Sequence, residues 1–458
     1  MTLDTAWPDL CDLLGDRVTR SKSELAAHGG SESYFPLSPP DAVAYPGSTD
    51  EVSRLVRICA AHGVPVIGWG AGTSLEGQAQ AFEGGLVVDF ARMNKVIEIG
   101  QADMDVRVQP GVTREVLNED LRATGLFFPV DPGANASVGG MASTRASGTT
   151  AVRYGTMRDN VLALEVVLAD GRVIRTGSRA RKSSAGYDLT ALFVGAEGTL
   201  GLITELTLRL HGQPEATSAA ICAFDKIGDA VRAVTETIQM GIPMARIEFV
   251  DAATVEVFNN YSGTTMPLVP HLMVEFHGSG ASVAEDARNF GEIVADHEGH
   301  GFEWAETAED RTALWTLRHH AHWAVLASRP GHRAVVTDIC VPISRLAEAV
   351  EATQADLDAH GISGPILGHV GDGNFHAILL FDPKDAAALA KVKAASDRLV
   401  ALSLSMGGTS TGEHGIGIGK KAFMPREHGE AWPVMGLIKR SLDPMNIFNP
   451  GKLAPDAH

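Results

Sequence analysis

Apolar positions in the first half of the chain switch between helical and strand-like spacing. Val52, Val56 and Cys59 lie on one helical face, after a Ser-x-x-Glu capping box that begins at Ser48. Gly63 ends this run, so we predict a helix over 49–62. The remaining pattern predicts strands over 64–67, 85–90, 95–99, 105–109 and 203–210, a helix over 113–124, and a hairpin of strands 161–168 and 173–176 around Asp170-Gly171.

The second half alternates strand-like and helical runs after a turn at Gln213-Pro214. Strands are predicted over 219–224, 246–250, 271–276, 335–341, 366–370 and 375–381, and helices over 228–240, 281–297, 309–327, 344–358 and 384–405. The pattern predicts a two-domain α+β protein with domains over 1–213 (core about 38–213) and 214–410. The C-terminal segment 411–458, which contains the apolar, turn-rich stretch 443–452, is predicted to pack back on the first domain.

Composition and charge narrow the class of protein. The 458 residues are 45% apolar and 21% charged, which is typical of a folded globular chain and not of a disordered one. A net charge of −18 argues against nucleic acid as a partner. The four cysteines form no C-x-x-C pair and are expected to be reduced thiols. Neither an export signal nor a long apolar span is visible, so we expect a cytoplasmic protein.

Three glycine-rich loops in the first domain combine backbone N–H groups with hydroxyls. They cover 68–77, 131–143 and 195–201. The first loop matches neither the G-x-G-x-x-G nor the P-loop pattern, and alone it would be read as a tight turn. Three in one domain favour a cradle for a pyrophosphate over that simpler interpretation.

The segment 368–376 places two histidines on either side of Asp372-Gly373. With those two residues as a hairpin turn, His369 would pair with His376 and both imidazoles would leave one sheet face. Glu413 and His414 stand in another glycine-lined turn. Two imidazoles and a carboxylate suit a divalent ion such as Zn²⁺ or Mn²⁺, and by themselves they would suggest a metallohydrolase.

Several segments together resemble a known family. They are 46–52, 68–77, 131–143, 153–155 and 198–203, and they resemble the PCMH-type FAD-binding domain of the vanillyl-alcohol-oxidase-like flavoproteins. The second half resembles the branch that contains FAD-linked D-lactate dehydrogenases and the D-subunit of glycolate oxidase. The resemblance implies an FAD-binding domain followed by an α+β substrate domain with an antiparallel sheet. It also implies non-covalent FAD, because the first loop lacks the histidine to which covalent members attach the flavin. The implied cofactor-binding residues are Gly68, Gly70, Ala71, Gly72, Thr73, Ser74, Pro132, Gly133, Ser137, Gly139, Gly140, Ser143, Gly198, Ile203 and Asn449.

The same resemblance implies the roles of the remaining site residues. His369, His376 and Glu413 would hold the divalent metal, and His414 would be the general base. Arg318 would clamp the substrate carboxylate, and His322, one turn later on the same predicted helix, would also reach the substrate. Ile378 and Val336 stand where relatives that accept a second carboxylate have asparagine and lysine, which points to a small monocarboxylate such as lactate.

The expected reaction is oxidation of a small D-2-hydroxy acid to the 2-oxo acid, with hydride transfer to flavin N5. A flavin-free metallohydrolase and a non-catalytic FAD-binding subunit of a larger complex stay open as alternatives. The electron acceptor is left open between a cytochrome, a quinone, an electron-transfer flavoprotein and oxygen. A homodimer, and a peripheral association with a membrane electron-transfer chain, are left open as well.

Overall fold

The structure is a computed structural model that describes residues 3–305 and 307–455. The helices are α1 Leu3–Leu14, α2 Lys22–Ala27, α3 Thr49–His62, α4 Arg114–Leu121, α5 Val138–Thr144, α6 Ala151–Tyr154, α7 Met157–Asn160, α8 Leu189–Phe193, α9 Ile227–Gln239, α10 Ala252–Ser262, α11 Gly280–Asp296, α12 Ala308–His319, α13 Ala321–Ser328, α14 Leu346–Ala359, α15 Ala386–Ser405, α16 Met424–His428 and α17 Ala431–Leu442.

The strands are β1 Val18–Thr19, β2 Ala42–Ala44, β3 Val66–Trp69, β4 Leu86–Asp89, β5 Val96–Gly100, β6 Asp105–Val108, β7 Leu126–Phe127, β8 Val161–Val167, β9 Val173–Gly177, β10 Leu202–Arg209, β11 His211–Gly212, β12 Ala216–Ala223, β13 Met244–Val250, β14 His271–Gly278, β15 His300–Ala305, β16 Arg333–Val336, β17 Ile339–Cys340, β18 Ile366–Gly368 and β19 Asn374–Phe381. These mixed elements confirm the predicted α+β class.

The chain divides into two units. The first contains Met1–Ser147, Gly155–Gln213 and Glu413–His458, and the second contains Gly148–Tyr154 and Pro214–Gly412. The short segment Gly148–Tyr154 therefore groups with the second unit, although the sequence pattern placed it in the first domain.

The first unit contains two main sheets with separate apolar cores. One sheet has the order β1-β2-β4-β3, in which β2, β4 and β3 run parallel. The other has the antiparallel order β5-β6-β10-β8-β9, ending in the β8–β9 hairpin predicted around Asp170-Gly171. The tail joins the first sheet, because Val66 N–H donates to Ile447 O (2.7 Å) and Asn449 N–H donates to Val66 O (2.9 Å).

The second unit is built on one large antiparallel sheet. Its order is β15-β12-β14-β13-β18-β19-β16, with β17 pairing to β19 as a branch. An apolar cluster that includes Val250, Met273, Trp315 and Ile378 covers one part of this sheet. Helices α12 and α13 contribute to that cluster, which brings Arg318 to the sheet.

Some element predictions are confirmed and others are wrong. The helix over 49–62 is correct, since Ser48 caps Glu51 N–H and Gly63 adopts the left-handed conformation that ends a helix. The single helix predicted over 309–327 is wrong, because the chain breaks at His320 into α12 and α13. Strand β15 and helix α10 were not predicted. None of the helices in the part of the chain that the structure describes is long and apolar enough to cross a bilayer.

Candidate functional site

The three glycine loops meet in the first unit. A Cβ on Gly70 would lie 2.1 Å from Ser137 Oγ, so the first and second loops touch where only glycine fits. The third loop joins the second through Gly195 N–H to Ala142 O (2.8 Å) and Glu197 N–H to Ser143 O (2.8 Å). Sequence-distant loops thus form one polar surface, as a cofactor cradle requires.

These loops fit a flavin nucleotide on two observations. Ser74 Oγ is buried with no hydrogen-bond partner among the described residues, so it has a donor to offer a ligand. At Gly133 and Gly198 no described atom lies within 4 Å of an added Cβ, which leaves their backbone open to close approach. All of the predicted cofactor-binding residues lie in this unit.

Not every predicted cofactor residue is placed on an open surface. Ile203 is 6% exposed and packs in the core around β8 and β10. Gly139 packs against Pro110, where a Cβ would lie 2.4 Å from Pro110 Cβ. Asn449 Nδ2 donates to Gln78 O (2.9 Å) and Glu197 O (2.7 Å), so its amide ties the tail to the first and third loops.

A buried polar cluster surrounds Asn449. Lys452 Nζ donates to Gln78 O (2.8 Å) and to Asn449 Oδ1 (2.6 Å). Burial lowers the pKa of Lys452 to about 7, although the nearby Glu197 carboxylate opposes that change. Burial likewise raises the pKa of Glu197, against the opposing effect of two backbone N–H donors.

Those two backbone donors hold the turn that contains Glu413 and His414. Ile416 N–H and Gly417 N–H donate to the Glu197 carboxylate at 2.6 and 2.8 Å. Gln78 Nε2 donates to His414 O at 2.6 Å, and His414 Nε2 lies 4.0 Å from Glu413 Oε1. This turn is therefore attached to the first unit by residues beside the first and third glycine loops.

Two predicted residues of the second unit, Arg318 and His369, meet at Glu248. This residue is fully buried in β13, and its Oε1 accepts from His369 Nδ1 at 2.8 Å. Its Oε2 lies 2.6 Å from Arg318 Nη2, and Arg318 is itself only 7% exposed. Arg318 Nε is buried with no hydrogen-bond partner in residues 3–305 and 307–455.

The two predicted metal histidines lie side by side. The ring centroids of His369 and His376 are 5.6 Å apart and the rings are nearly perpendicular. His376 Nδ1 donates to Thr337 O at 3.0 Å, and His369 Nδ1 donates to Glu248. Because Nδ1 carries the proton in both rings, Nε2 is the nitrogen that each would offer to a metal, so the pair fits a divalent ion.

Asp338 lies next to His376 and contacts two further polar side chains. Its carboxylate lies 3.6 Å from His376 Nδ1 and accepts from Asn374 Nδ2 (2.8 Å) and Thr411 Oγ1 (2.6 Å). Gly412 N–H donates to Asp338 O at 3.3 Å. The chain continues directly from Gly412 into Glu413.

Two details of the predicted geometry are wrong. His369 does not pair with His376, since Leu367 is opposite His376 and a 3₁₀ turn over Val370–Asp372 separates the strands. His322 is not one turn after Arg318 on the same helix, because the break at His320 places it on α13. Burial lowers the pKa of His322, which keeps that imidazole neutral near pH 7.

Glu248 and Asp338 were not predicted as members of the site. The one sequence feature that could have indicated Glu248 is a lone carboxylate between Ile247 and Phe249 in the strand-like run 246–250. Such a residue is rarely buried without a partner, but the sequence does not say which cation would meet it.

Comparison with known proteins assigns the family. Residues 40–177 match the family described as FAD binding domain, and residues 213–453 match the one described as FAD linked oxidases, C-terminal domain. The chain belongs to the FAD-linked oxidases. It is therefore an FAD-dependent oxidoreductase, which excludes the flavin-free metallohydrolase.

Relatives of this FAD-linked oxidase cover nearly its whole length. A probable mitochondrial D-lactate dehydrogenase from Danio rerio is 50% identical over 93% of this chain and 86% of the relative. The mitochondrial D-lactate dehydrogenase [cytochrome] from Arabidopsis thaliana is 44% identical over 97% of this chain and 79% of the relative. Glycolate oxidase subunit GlcD from Bacillus subtilis is 36% identical over 92% and 90%.

A solved structure of p-cresol methylhydroxylase with substrate bound has a TM-score of 0.82 to this FAD-linked oxidase. The match covers 99% of this chain and 97% of that chain, at 17% identity. At this identity the likeness shows the fold alone, and it confirms the PCMH-type architecture.

Proposed function

We propose that this FAD-linked oxidase oxidises a small D-2-hydroxy acid, with D-lactate the best candidate, to the 2-oxo acid. The observation that carries the proposal is the buried Arg318 held beside the His369–His376 pair in the second unit. An arginine there offers a planar, permanently charged donor to a carboxylate. Relatives named D-lactate dehydrogenases support the substrate class.

Two side chains, Arg318 and His414, have separate roles in the proposed reaction. Arg318 binds the substrate carboxylate, and its unpartnered Nε supplies a donor for that contact. His414 accepts the proton of the 2-hydroxyl group as that oxygen becomes a carbonyl. FAD, when bound, accepts the hydrogen and electron pair released from C2.

A divalent metal is part of the proposal. His369, His376 and Glu413 would hold it, with the two imidazoles binding through Nε2. A Zn²⁺ or Mn²⁺ ion in that position supplies Lewis acidity that lowers the pKa of the substrate hydroxyl.

The apolar pair Val336–Ile378 supports a small monocarboxylate. The two residues are direct cross-strand neighbours on β16 and β19, and both belong to the apolar cluster that contains Trp315. A second substrate carboxylate placed against them would be desolvated without a cation, which is costly. The acceptor of the electrons is proposed to be a cytochrome, as in the names of several relatives.

Anaerobic mixing of the FAD-loaded protein with single acids tests this proposal. We expect D-lactate to bleach the visible absorption of oxidised flavin and L-lactate to leave it unchanged. D-2-hydroxyglutarate should reduce the flavin at least about tenfold less efficiently, because its second carboxylate meets the apolar pair. If no D-2-hydroxy acid reduces the flavin, a non-catalytic FAD-binding subunit becomes the better interpretation.

A further inference from the structure

Glu248 contacts both a predicted metal ligand, His369, and the predicted carboxylate clamp, Arg318. Its two carboxylate oxygens are divided between them, with Oε1 2.8 Å from His369 Nδ1 and Oε2 2.6 Å from Arg318 Nη2. The side chain of Glu248 is 0% exposed. Burying a carboxylate so completely costs free energy unless both contacts are made.

We propose that Glu248 is a positioning residue that fixes His369 and Arg318 in one rigid arrangement and so couples metal binding to substrate-carboxylate binding. This inference rests on the proposed function for the roles of His369 and Arg318. It adds a residue to which neither the family resemblance nor the relatives' names give a role.

The contact with His369 sets the orientation and tautomer of the imidazole. A carboxylate that accepts from Nδ1–H stops the ring from flipping and makes Nε2 a better electron donor to a metal. His376 achieves the same state differently, by donating to the Thr337 carbonyl. Loss of the Glu248 carboxylate should therefore weaken metal binding through His369 alone.

The contact with Arg318 holds a flexible side chain in one position. Glu248 balances the charge of a guanidinium that is 7% exposed and engages Nη2, while Nε is without a partner in the described part of the chain. The guanidinium is thereby held before substrate arrives, and Nε is left to donate to the carboxylate of the substrate. Without Glu248, the arginine would need to be ordered during binding, which weakens substrate affinity.

The chain offers a matched control in Glu275. This carboxylate is 5% exposed on the neighbouring strand β14, and it accepts from His277 Nε2 (2.7 Å) and from Trp315 Nε1 (2.5 Å). Trp315 lies three residues before Arg318 on α12, so Glu275 also fixes this helix to the sheet. In the part of the chain that the structure describes, the partners of Glu275 are Arg246, His277 and Trp315, so its loss should affect stability without affecting the binding of metal or substrate.

The experiment compares Glu248→Gln with Glu275→Gln in the FAD-loaded protein. Zn²⁺ affinity is measured by competition with a chelating dye, KM and kcat for D-lactate at saturating metal, and thermal unfolding without substrate. For Glu248→Gln we expect metal affinity to fall about 10–100-fold. We also expect KM to rise about tenfold or more even at saturating metal, while FAD content is unchanged. Glu275→Gln should unfold at a lower temperature but keep metal affinity and KM within about threefold of wild type.

Three results would overturn the proposal. They are wild-type metal affinity in Glu248→Gln, a KM that excess metal returns to the wild-type value, and equal effects of the two glutamine variants on KM. If Glu248→Gln does not fold, Glu248→Asp keeps the charge but is one methylene too short to reach both partners. For Glu248→Asp we expect metal affinity to fall, or KM to rise, by about tenfold. Wild-type values of both would overturn the proposal.

A wrong proposed function would give a different experimental result from a wrong role for Glu248. In that case no D-2-hydroxy acid reduces the flavin of the wild-type protein. The effect of Glu248→Gln on Zn²⁺ affinity is measured without substrate and still decides whether Glu248 supports His369.

Discussion

His414 is the residue whose side chain the proposed chemistry depends on most directly. In His414→Gln we expect FAD and metal to be retained, because Gln78 holds this turn through the backbone oxygen of residue 414 and not through the imidazole. Flavin reduction by substrate should slow by about 10²–10⁴, or roughly 3–5 kcal/mol of barrier, since glutamine cannot accept the proton.

The competing role for His414 is to brace Glu413, whose carboxylate lies 4.0 Å from His414 Nε2. Metal content and anaerobic reduction rate, measured on one preparation of His414→Gln, separate the two roles. Activity that returns with excess metal would assign His414 to bracing, and near wild-type reduction at full metal occupancy would remove it from the chemistry altogether.

Individual residues also show which parts of the candidate site could be predicted from the sequence and which could not. Arg318, His369 and His376 were predicted, and in the structure Glu248 pairs with Arg318 and accepts a hydrogen bond from His369, whose ring lies next to that of His376. Glu248 itself lies more than a hundred residues away from the histidine that it contacts. Nothing local to the run 244–250 specifies that partner, so only the folded sheet reveals it.

At the scale of elements, local signals predicted well where they determine the backbone alone. The helix over 49–62 has a capping serine and a terminal glycine, and both boundaries are correct.

The predicted two-residue turn at Asp372-Gly373 was wrong because a tertiary contact intervenes. Gly371 packs against Ile247 and Val152, where a Cβ would lie 2.6 and 2.7 Å away, and the chain forms a 3₁₀ turn there instead. The break at His320 involves neither proline nor glycine, so the continuous helical pattern concealed it.

The packing of the first glycine loop on the second gives a prediction at this scale. In Gly70→Ala the new methyl would meet Ser137 Oγ, whose position caps α5 by accepting from Gly140 N–H. We expect the two loops to separate and FAD affinity to fall at least about tenfold, measured by titration of the flavin-free protein. Ser137→Gly removes the atom that the new methyl meets, but Ser137 is itself a predicted cofactor-binding residue, so the double variant should bind FAD as tightly as Ser137→Gly alone; the cap itself contributes little, because glycine at a helix cap costs only a few tenths of a kcal/mol.

Gly212→Ala is the control for that pair of variants. Gly212 lies in the same unit at a negative φ, and no described atom is within 4 Å of an added Cβ. Its FAD affinity should equal that of wild type. Unchanged FAD affinity in Gly70→Ala would show that loop contact is not what shapes the cradle.

At the scale of the whole molecule, the predicted cofactor residues and two of the three predicted metal ligands, His369 and His376, belong to different units of the chain. The glycine loops are joined by contacts inside the first unit, through Ala142, Ser143 and Asn449. His369 and His376 are held inside the second unit by Glu248 and Thr337. The two histidines therefore have structural support of their own, whereas the turn that contains Glu413 is held by Glu197 and Gln78 beside the glycine loops.

This separation predicts how the protein responds to metal removal. Treatment with a chelator should leave FAD bound, because the contacts that join the glycine loops, through Ala142, Ser143 and Asn449, lie inside the first unit. Turnover of D-lactate should fall by most of its value, since the hydroxyl then loses the Lewis acid that lowers its pKa. Flavin content, metal content and anaerobic reduction rate are measured before treatment, after treatment and after adding back Zn²⁺ or Mn²⁺. Recovery with one ion also identifies the metal that supports turnover. A metal-stripped sample with full activity would show that the histidine pair serves the substrate directly, and loss of FAD together with metal would show that the two groups depend on each other.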